Sequence, residues 1–329
     1  MEEYIDGLLR RMVDEDTEVR HRTYDEAKEL DDLLTFPYLQ QKVTKAKKIA
    51  MKKDMYYVMT KLAINTKEIS IADYLIDCLE CEQNPTLLSE LLSNIYTLPE
   101  VSDTNKIIPY IYHKNDSVRF WAVSSLKLCK SLEAESALLK LLDTQENKDE
   151  ITNICYTLLE IGTNQSILPL TKLLYSNSAY VRSTVIEVLA KIGGSDLQIV
   201  YIEALQDRNV MVKYEAVRAI YTYGDEMAMR PICERVNKIV ARRRKNEAEP
   251  TDEVEIIIAL RFLHKFANHE EVLKIFDKVY KKRGNLFVSE RKWLRDNITY
   301  FQEKECKNHK KRASLNDETD SFLLTSLIL

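Results

Sequence analysis

Few residues in this 329-residue chain are spaced for bond-making chemistry. Cys78-Leu-Glu-Cys81 has the spacing of half a zinc or redox site. A structural metal needs two further ligands in register, and no second such pair exists. Cysteines at i and i+3 of a helix are also ordinary small packing residues, so no metal is expected. His21, His113, His264, His269 and His309 are dispersed. His264 and His269 stand five apart, which does not place them on one helical face. The chain has no Walker loop, no G-x-G-x-x-G and no G-x-S-x-G, and its six glycines leave little material for a phosphate-cradling loop. The expectation is no catalytic residue and no cofactor.

Binding chemistry is better represented. Tyr57, Tyr96, Phe120, Tyr156, Tyr214 and Tyr221 are interleaved with Arg119, Arg182, Lys213 and Arg218. Tyr and Arg are enriched at protein–protein hot spots. The same pairing stacks on bases and neutralises phosphates. A third use is structural, with tyrosines packed between helices and the hydroxyl at the rim. Basic tracts occur at 42–53, at Arg242-Arg243-Arg244-Lys245, at 278–283 and at 304–312. Each could contact phosphate. A net charge of −4 and a pI near 5.9 are nevertheless unlike a dedicated nucleic-acid module.

The elements that position these side chains recur. Val118-Arg119, Ala122 and Leu126 are matched by Val181-Arg182, Val185, Leu189 and Ile192-Gly193, and again by Val212-Lys213, Ala216, Ile220 and Tyr223-Gly224. A degenerate copy, Glu150-Ile151, Ile154, Leu158 and Ile161-Gly162, lies between the first two. The step is about thirty-one residues, the mark of a stacked-repeat architecture. Within each copy the apolar residues fall at +4, +8 and often +11, one face of a helix. A first helix precedes each, at 133–142, 166–175, 197–205 and 227–236. Gly162, Gly193 and Gly224 are placed to end helices in a left-handed residue. Weaker copies extend outward: Val19-Arg20, Thr23 and Ala27; Met55, Met59 and Ala63; Leu87, Leu91 and Ile95; Val254, Ile258, Phe262 and Phe266; Glu290, Leu294, Ile298 and Phe301. Two gaps exceed the period, one around Phe36-Pro37 and one at 237–251.

The Asp-x-Val-Arg-x-x-Ala pattern, with Leu at +8 and Ile-Gly at +11/+12, resembles the HEAT repeats of the bacterial, bilin-lyase-like class. Asp116-Ser-Val-Arg119 with Ala122, and Val181-Arg182 with Ile192-Gly193, carry the resemblance. It covers residues 100–235 well and the rest loosely. It implies an all-α fold, a right-handed α-solenoid of about nine helical pairs over 1–303, whose second helices line a concave groove. It also implies a ladder between neighbouring units, to which Asp116, Arg119, Arg182 and Lys213 are assigned. The groove residues are then Tyr57, Tyr96, Phe120, Tyr156, Tyr214, Arg218 and Tyr221. Trp121, at +3, is expected to be more buried.

Charge is uneven along the chain. Residues 213–312 hold 24 Lys+Arg against 16 Asp+Glu, whereas 68–105 hold eight acidic residues and no Lys or Arg. Such a pattern suits partners of opposite charge at the two ends, or simply solvated faces. The first residues lack an apolar signal region, and no apolar run approaches membrane-spanning length. The six scattered cysteines read as reduced, and the cytoplasm is the expected compartment. Residues 304–329 read as a basic linker and an apolar tail. The expected function is a non-enzymatic scaffold or adaptor that binds a protein or peptide in the groove, with the 242–245 insertion as a secondary contact. The alternative is a nucleic-acid binder of the HEAT-like DNA glycosylase kind. A remote third reading, implied by the resemblance alone, is a bilin lyase subunit. Oligomeric state is left open.

Overall fold

The computed structural model describes residues 1–243 and 254–304, and all regular structure among them is helical. The chain forms two compact units. The first, Met1–Ile192, contains α1 (Glu2–Met12), α2 (Thr17–Lys28), α3 (Thr35–Lys45), α4 (Ile49–Thr66), α5 (Ile69–Cys81), α6 (Pro85–Tyr96), α7 (Asp116–Ser125), α8 (Leu132–Thr144), α9 (Lys148–Ile161), α10 (Ile167–Lys172) and α11 (Ala179–Gly193). The second, from Gly193, contains α12 (Gln198–Ala204), α13 (Val210–Tyr223), α14 (Met229–Ile239), α15 (Glu255–His264), α16 (Glu270–Lys281) and α17 (Val288–Asn297). The described helices make nine pairs of an all-α solenoid. The first helix of the fourth pair is a 3-10 turn, Ile108–Tyr112. The gap around Pro37 is filled by the start of α3, and α15 stops before Phe266.

The periodic residues form the core. Val118, Ala122, Leu126, Val181, Val185, Leu189, Ala216 and Ile220 are fully buried. Burying each of the larger side chains among them contributes about 1.5–3 kcal/mol, which is why the pattern alone places these helices. Second helices also share a start signal. Asp16, Asn84, Asn115, Asn147 and Asn209 each cap one by accepting a backbone N–H of its first turn.

None of the three expected glycines is left-handed, and Gly193 has right-handed helical backbone at φ −98° and ψ −13°. Gly162 and Gly224 end their helices in extended backbone. Among these turns the left-handed residue is Gly194, at φ +51°. Glycine is needed at 162 and 224 for space: an added Cβ would meet Leu158 O at 2.5 Å and Ile192 Cδ1 at 2.7 Å in one case, and Ile220 O at 2.6 Å in the other.

The arginine of the Val-Arg pair closes the turn inside its own unit. Arg119 Nη1 donates to the carbonyl of His113, six residues back, at 2.9 Å. Arg182 Nη1 donates to Ser176 O at 2.6 Å, and Arg20 Nη1 donates to Asp14 O. Arg119 also reaches forward to Glu150 at 2.6 Å and sideways to Asp116 at 2.9 Å. Glu150 stands where the flanking copies carry Val118 and Val181, so the degenerate copy is the one that supplies a partner for Arg119. Lys213 is half-buried on α13.

A second set of rungs was not anticipated. A polar residue on a first helix accepts the backbone N–H that opens the following pair: Asp73 from Ser102, Glu135 from Thr163 and Gln198 from Asp225, at 2.9, 2.8 and 2.6 Å. Charges within the first unit are also paired in space. Lys52 pairs with Glu82, Lys53 with Glu90 at 2.6 Å, Lys42 with Asp6 at 2.6 Å, and Lys106 with Asp77 at 2.8 Å. The acidic stretch and the 42–53 tract thus partly neutralise one another.

Candidate functional site

The helices of the first unit bring three of the expected groove residues together. Tyr96 at the end of α6, Phe120 on α7 and Tyr156 on α9 line one open cleft of about 600 Å³. Two rings outside the expected set join them, Trp121 on α7 and Tyr180 on α11. Four successive second helices therefore each contribute at least one aromatic side chain. Phe120, Tyr156 and Tyr180 are 45 %, 41 % and 46 % exposed, a concentration of ring surface in water that an ordinary packing role does not require. Phe120 and Trp121 meet edge to face at 5.0 Å, Trp121 lies 5.4 Å from Tyr96, and the Tyr156 and Tyr180 hydroxyls are 3.3 Å apart.

Trp121, at +3, is half-buried and so less exposed than Phe120 and Tyr156, yet it still lines the cleft. After α7 ends at Ser125, Leu126–Leu128 form a 3-10 turn. That turn carries Lys127, whose Nζ sits 3.4 Å from the Tyr96 ring centroid. Tyr180 was missed because it immediately precedes Val181, outside the positions counted from the repeat.

Several polar groups of the cleft are already committed to structure. Asn153 Nδ2 donates to Phe120 O and its Oδ1 accepts from Ser124 Oγ, both at 2.9 Å. Thr157 Oγ1 donates to Val123 O at 3.1 Å, and Thr152 Oγ1 to Lys148 O at 2.8 Å. No lining residue is a histidine or a cysteine, and none of these hydroxyls is bonded to a base. The Tyr180 hydroxyl beside it, with partial burial, raises the Tyr156 phenol above its usual range. Cys155, behind the cleft, is fully buried, and burial pushes its thiol up to about 12. Asp149 and Glu160 stand exposed among the lining residues, with Glu160 paired to Lys191 at 3.2 Å. This arrangement offers aromatic faces and a mixed-charge rim. It contains no nucleophile held by a base.

The remaining expected residues lie elsewhere. Tyr57 is half-buried, packed edge-on against Tyr24 at 5.1 Å, with Lys61 over its ring. Tyr214, Arg218 and Tyr221 belong to the second unit. Arg218 lies 5.8 Å from the Tyr214 ring and pairs with Glu215 at 3.1 Å; Lys265 sits 4.8 Å from Tyr221. Arg242 and Arg243 are exposed, while Arg244 and Lys245 lie outside the described residues, as do Cys306, His309 and the apolar tail. Cys78 is buried, with its thiol pushed up to about 11 by that burial, and Cys81 is exposed. Among the described residues no group of His, Cys, Asp and Glu could hold a metal ion, and no helix is long and apolar enough to cross a membrane.

The family model for HEAT repeats matches the chain over residues 104–190 and again over 167–249. The first match contains most of the cleft. No curated protein matches the chain. Among solved structures, an engineered protein is similar at 17 % identity and a TM-score of 0.51, covering 91 % of this chain and 86 % of that one. The complex of CpcE and CpcF of phycocyanin lyase from Nostoc sp. PCC7120 is similar at 15 % identity and a TM-score of 0.38, covering 84 % of this chain and 93 % of that one. The first likeness bears on the fold alone, and the second is too low to bear on function.

Proposed function

We propose that this chain, whose residues 104–249 match the family model for HEAT repeats, is a non-catalytic scaffold that binds a polypeptide partner in the aromatic cleft between Tyr96 and Tyr180. The observation that carries the proposal is the convergence of five rings from four successive second helices on one open cleft. Rings are effective anchors because they bury large apolar area at little rotamer cost, and Tyr and Trp are enriched among interface hot spots. Repetition supports the same reading. Stacked second helices present side chains at regular intervals along one surface, which suits an extended or helical segment of another protein. The cytoplasm, with its reduced thiols, is the compartment proposed for this binding.

The test is affinity capture with three forms of the full chain: wild type, Phe120→Ala/Tyr156→Ala, and Tyr175→Ala. Tyr175 is 89 % exposed and does not line the cleft. Wild type and Tyr175→Ala are expected to retain the same bound polypeptides, and the double variant to lose them. Equal capture by all three forms would remove the cleft from the account.

A further inference from the structure

The second unit carries a cleft of different chemistry. It measures about 430 Å³ and lies between the end of α16, the turn that follows it, and α17. Four cationic side chains line it, Arg283, Arg291, Lys292 and Arg295, and no acidic residue does. Arg291 and Arg295 are one helical turn apart on α17, so they point along one face. Arg283 faces them from the turn. Its guanidinium lies 4.4 Å from the Tyr280 ring centroid and donates to Tyr280 O at 2.9 Å, which holds it in place. Leu294 and Phe301 provide an apolar floor and are themselves buried.

Of three nearby acids, two are engaged away from these cations. Asp277 is bound to Lys281 at 2.6 Å and to Lys304 at 3.1 Å. Glu290 lies buried and accepts the Phe287 N–H at 2.9 Å. Asp296 pairs with Arg295 at 3.1 Å. Among the described residues, Arg283, Arg291 and Lys292 have no carboxylate partner. Gathering four cations about a concavity with one counter-ion is unfavourable through like-charge repulsion. A multiply charged anion in the cleft reverses that term. Guanidinium forks match tetrahedral oxyanions in geometry, and a phosphate monoester carries about −1.5 to −2 at neutral pH.

We infer that the cleft formed by Arg283, Arg291, Lys292 and Arg295 is a binding site for a phosphate-bearing ligand. It is a separate site from the aromatic cleft and does not depend on the function proposed for that cleft.

The test uses the full chain carrying Trp121→Phe, which leaves Trp293 on α17 as the single tryptophan. Its fluorescence is titrated at low salt with inorganic tripolyphosphate, with a phosphoserine hexapeptide and with hexaglutamate. Tripolyphosphate or the phosphopeptide should bind more tightly than hexaglutamate, and the tighter of the two identifies a free or a peptide-borne phosphate as the source. Added Arg291→Gln/Arg295→Gln should raise the dissociation constant at least tenfold with far-ultraviolet circular dichroism unchanged. Lys140→Gln/Lys172→Gln, an equal charge change in the first unit, should leave it unchanged. The inference is overturned by no binding of either phosphate probe, by hexaglutamate binding as tightly as both, or by equal weakening in the two double variants.

Discussion

Replacing Arg119 by methionine keeps much of its apolar stem and removes its guanidinium. In the folded chain that group donates to His113 O, makes two bonds to Glu150 and touches Asp116. The contact with Asp116 contributes little, since that carboxyl is 88 % exposed. The Arg119 and Glu150 side chains are only 21 % and 19 % exposed. A part-buried carbonyl that loses its donor costs about 1–3 kcal/mol. Glu150 keeps the Gln145 amide at 2.6 Å, so its share of the loss is smaller, about 1 kcal/mol. The expected total is about 2–4 kcal/mol. Stacked repeats need not unfold in one step, so amide hydrogen exchange is the suitable assay. Amides of α7 and α9 should exchange on the order of thirtyfold to several hundredfold faster, with those of α1 unaffected. A double-mutant cycle with Glu150→Gln should return a favourable coupling. A loss below about 0.5 kcal/mol, the level of an ordinary surface substitution, or no coupling to Glu150, would refute the role given to the Val-Arg arginine.

Three further outcomes are expected. Gly162→Ala should destabilise the first unit by about 1–3 kcal/mol through overpacking against Leu158 and Ile192, whereas Gly7→Ala, with open space around it inside α1, should stabilise by about 0.5–1 kcal/mol; chemical denaturation of each variant checks both signs. Glu135→Ala removes the acceptor of Thr163 N, Thr163 Oγ1 and Ser166 Oγ and should cost about 1–3 kcal/mol, seen as faster exchange at the start of the sixth pair. Burial raises the carboxyl pKa of Asp54, against a Tyr24 hydroxyl bond and Lys53 that lower it, with Glu90 raising it further. Its folded value exceeds its unfolded one, so its contribution is complete in acid and is lost as pH rises through the folded value. Asp54→Asn should therefore raise the melting temperature at neutral pH, and the gain should shrink as pH falls through that range; a gain that grows in acid would contradict the assignment.

The repeat was legible because burial is periodic: Val118, Val181 and Val212 occupy equivalent core positions, and a helix cannot bury them without fixing its own orientation. The pairs between 42–53 and the acidic stretch were not legible, because Lys52–Glu82 and Lys53–Glu90 depend on which helices neighbour one another and on how far each side chain reaches. Gly162 and Gly224 were legible as helix ends, but their cause was misread, because a missing Cβ answers equally to backbone angle and to crowding. At the site, Tyr96, Phe120 and Tyr156 followed from the repeat count. Trp121 and Tyr180 did not, since a bulky ring at a nominally inward or preceding position can still reach the cleft. Tyr214, Arg218 and Tyr221 share the pattern of the groove residues and form a separate group on the second unit.

The most direct test of polypeptide binding at the aromatic cleft is site-specific photo-crosslinking, with a photoreactive phenylalanine analogue placed in turn at Phe120, Tyr156 and Tyr175. The account predicts that positions 120 and 156 join to the same polypeptide and that position 175 does not. Crosslinks of equal yield from all three positions, or from position 175 alone, would contradict it.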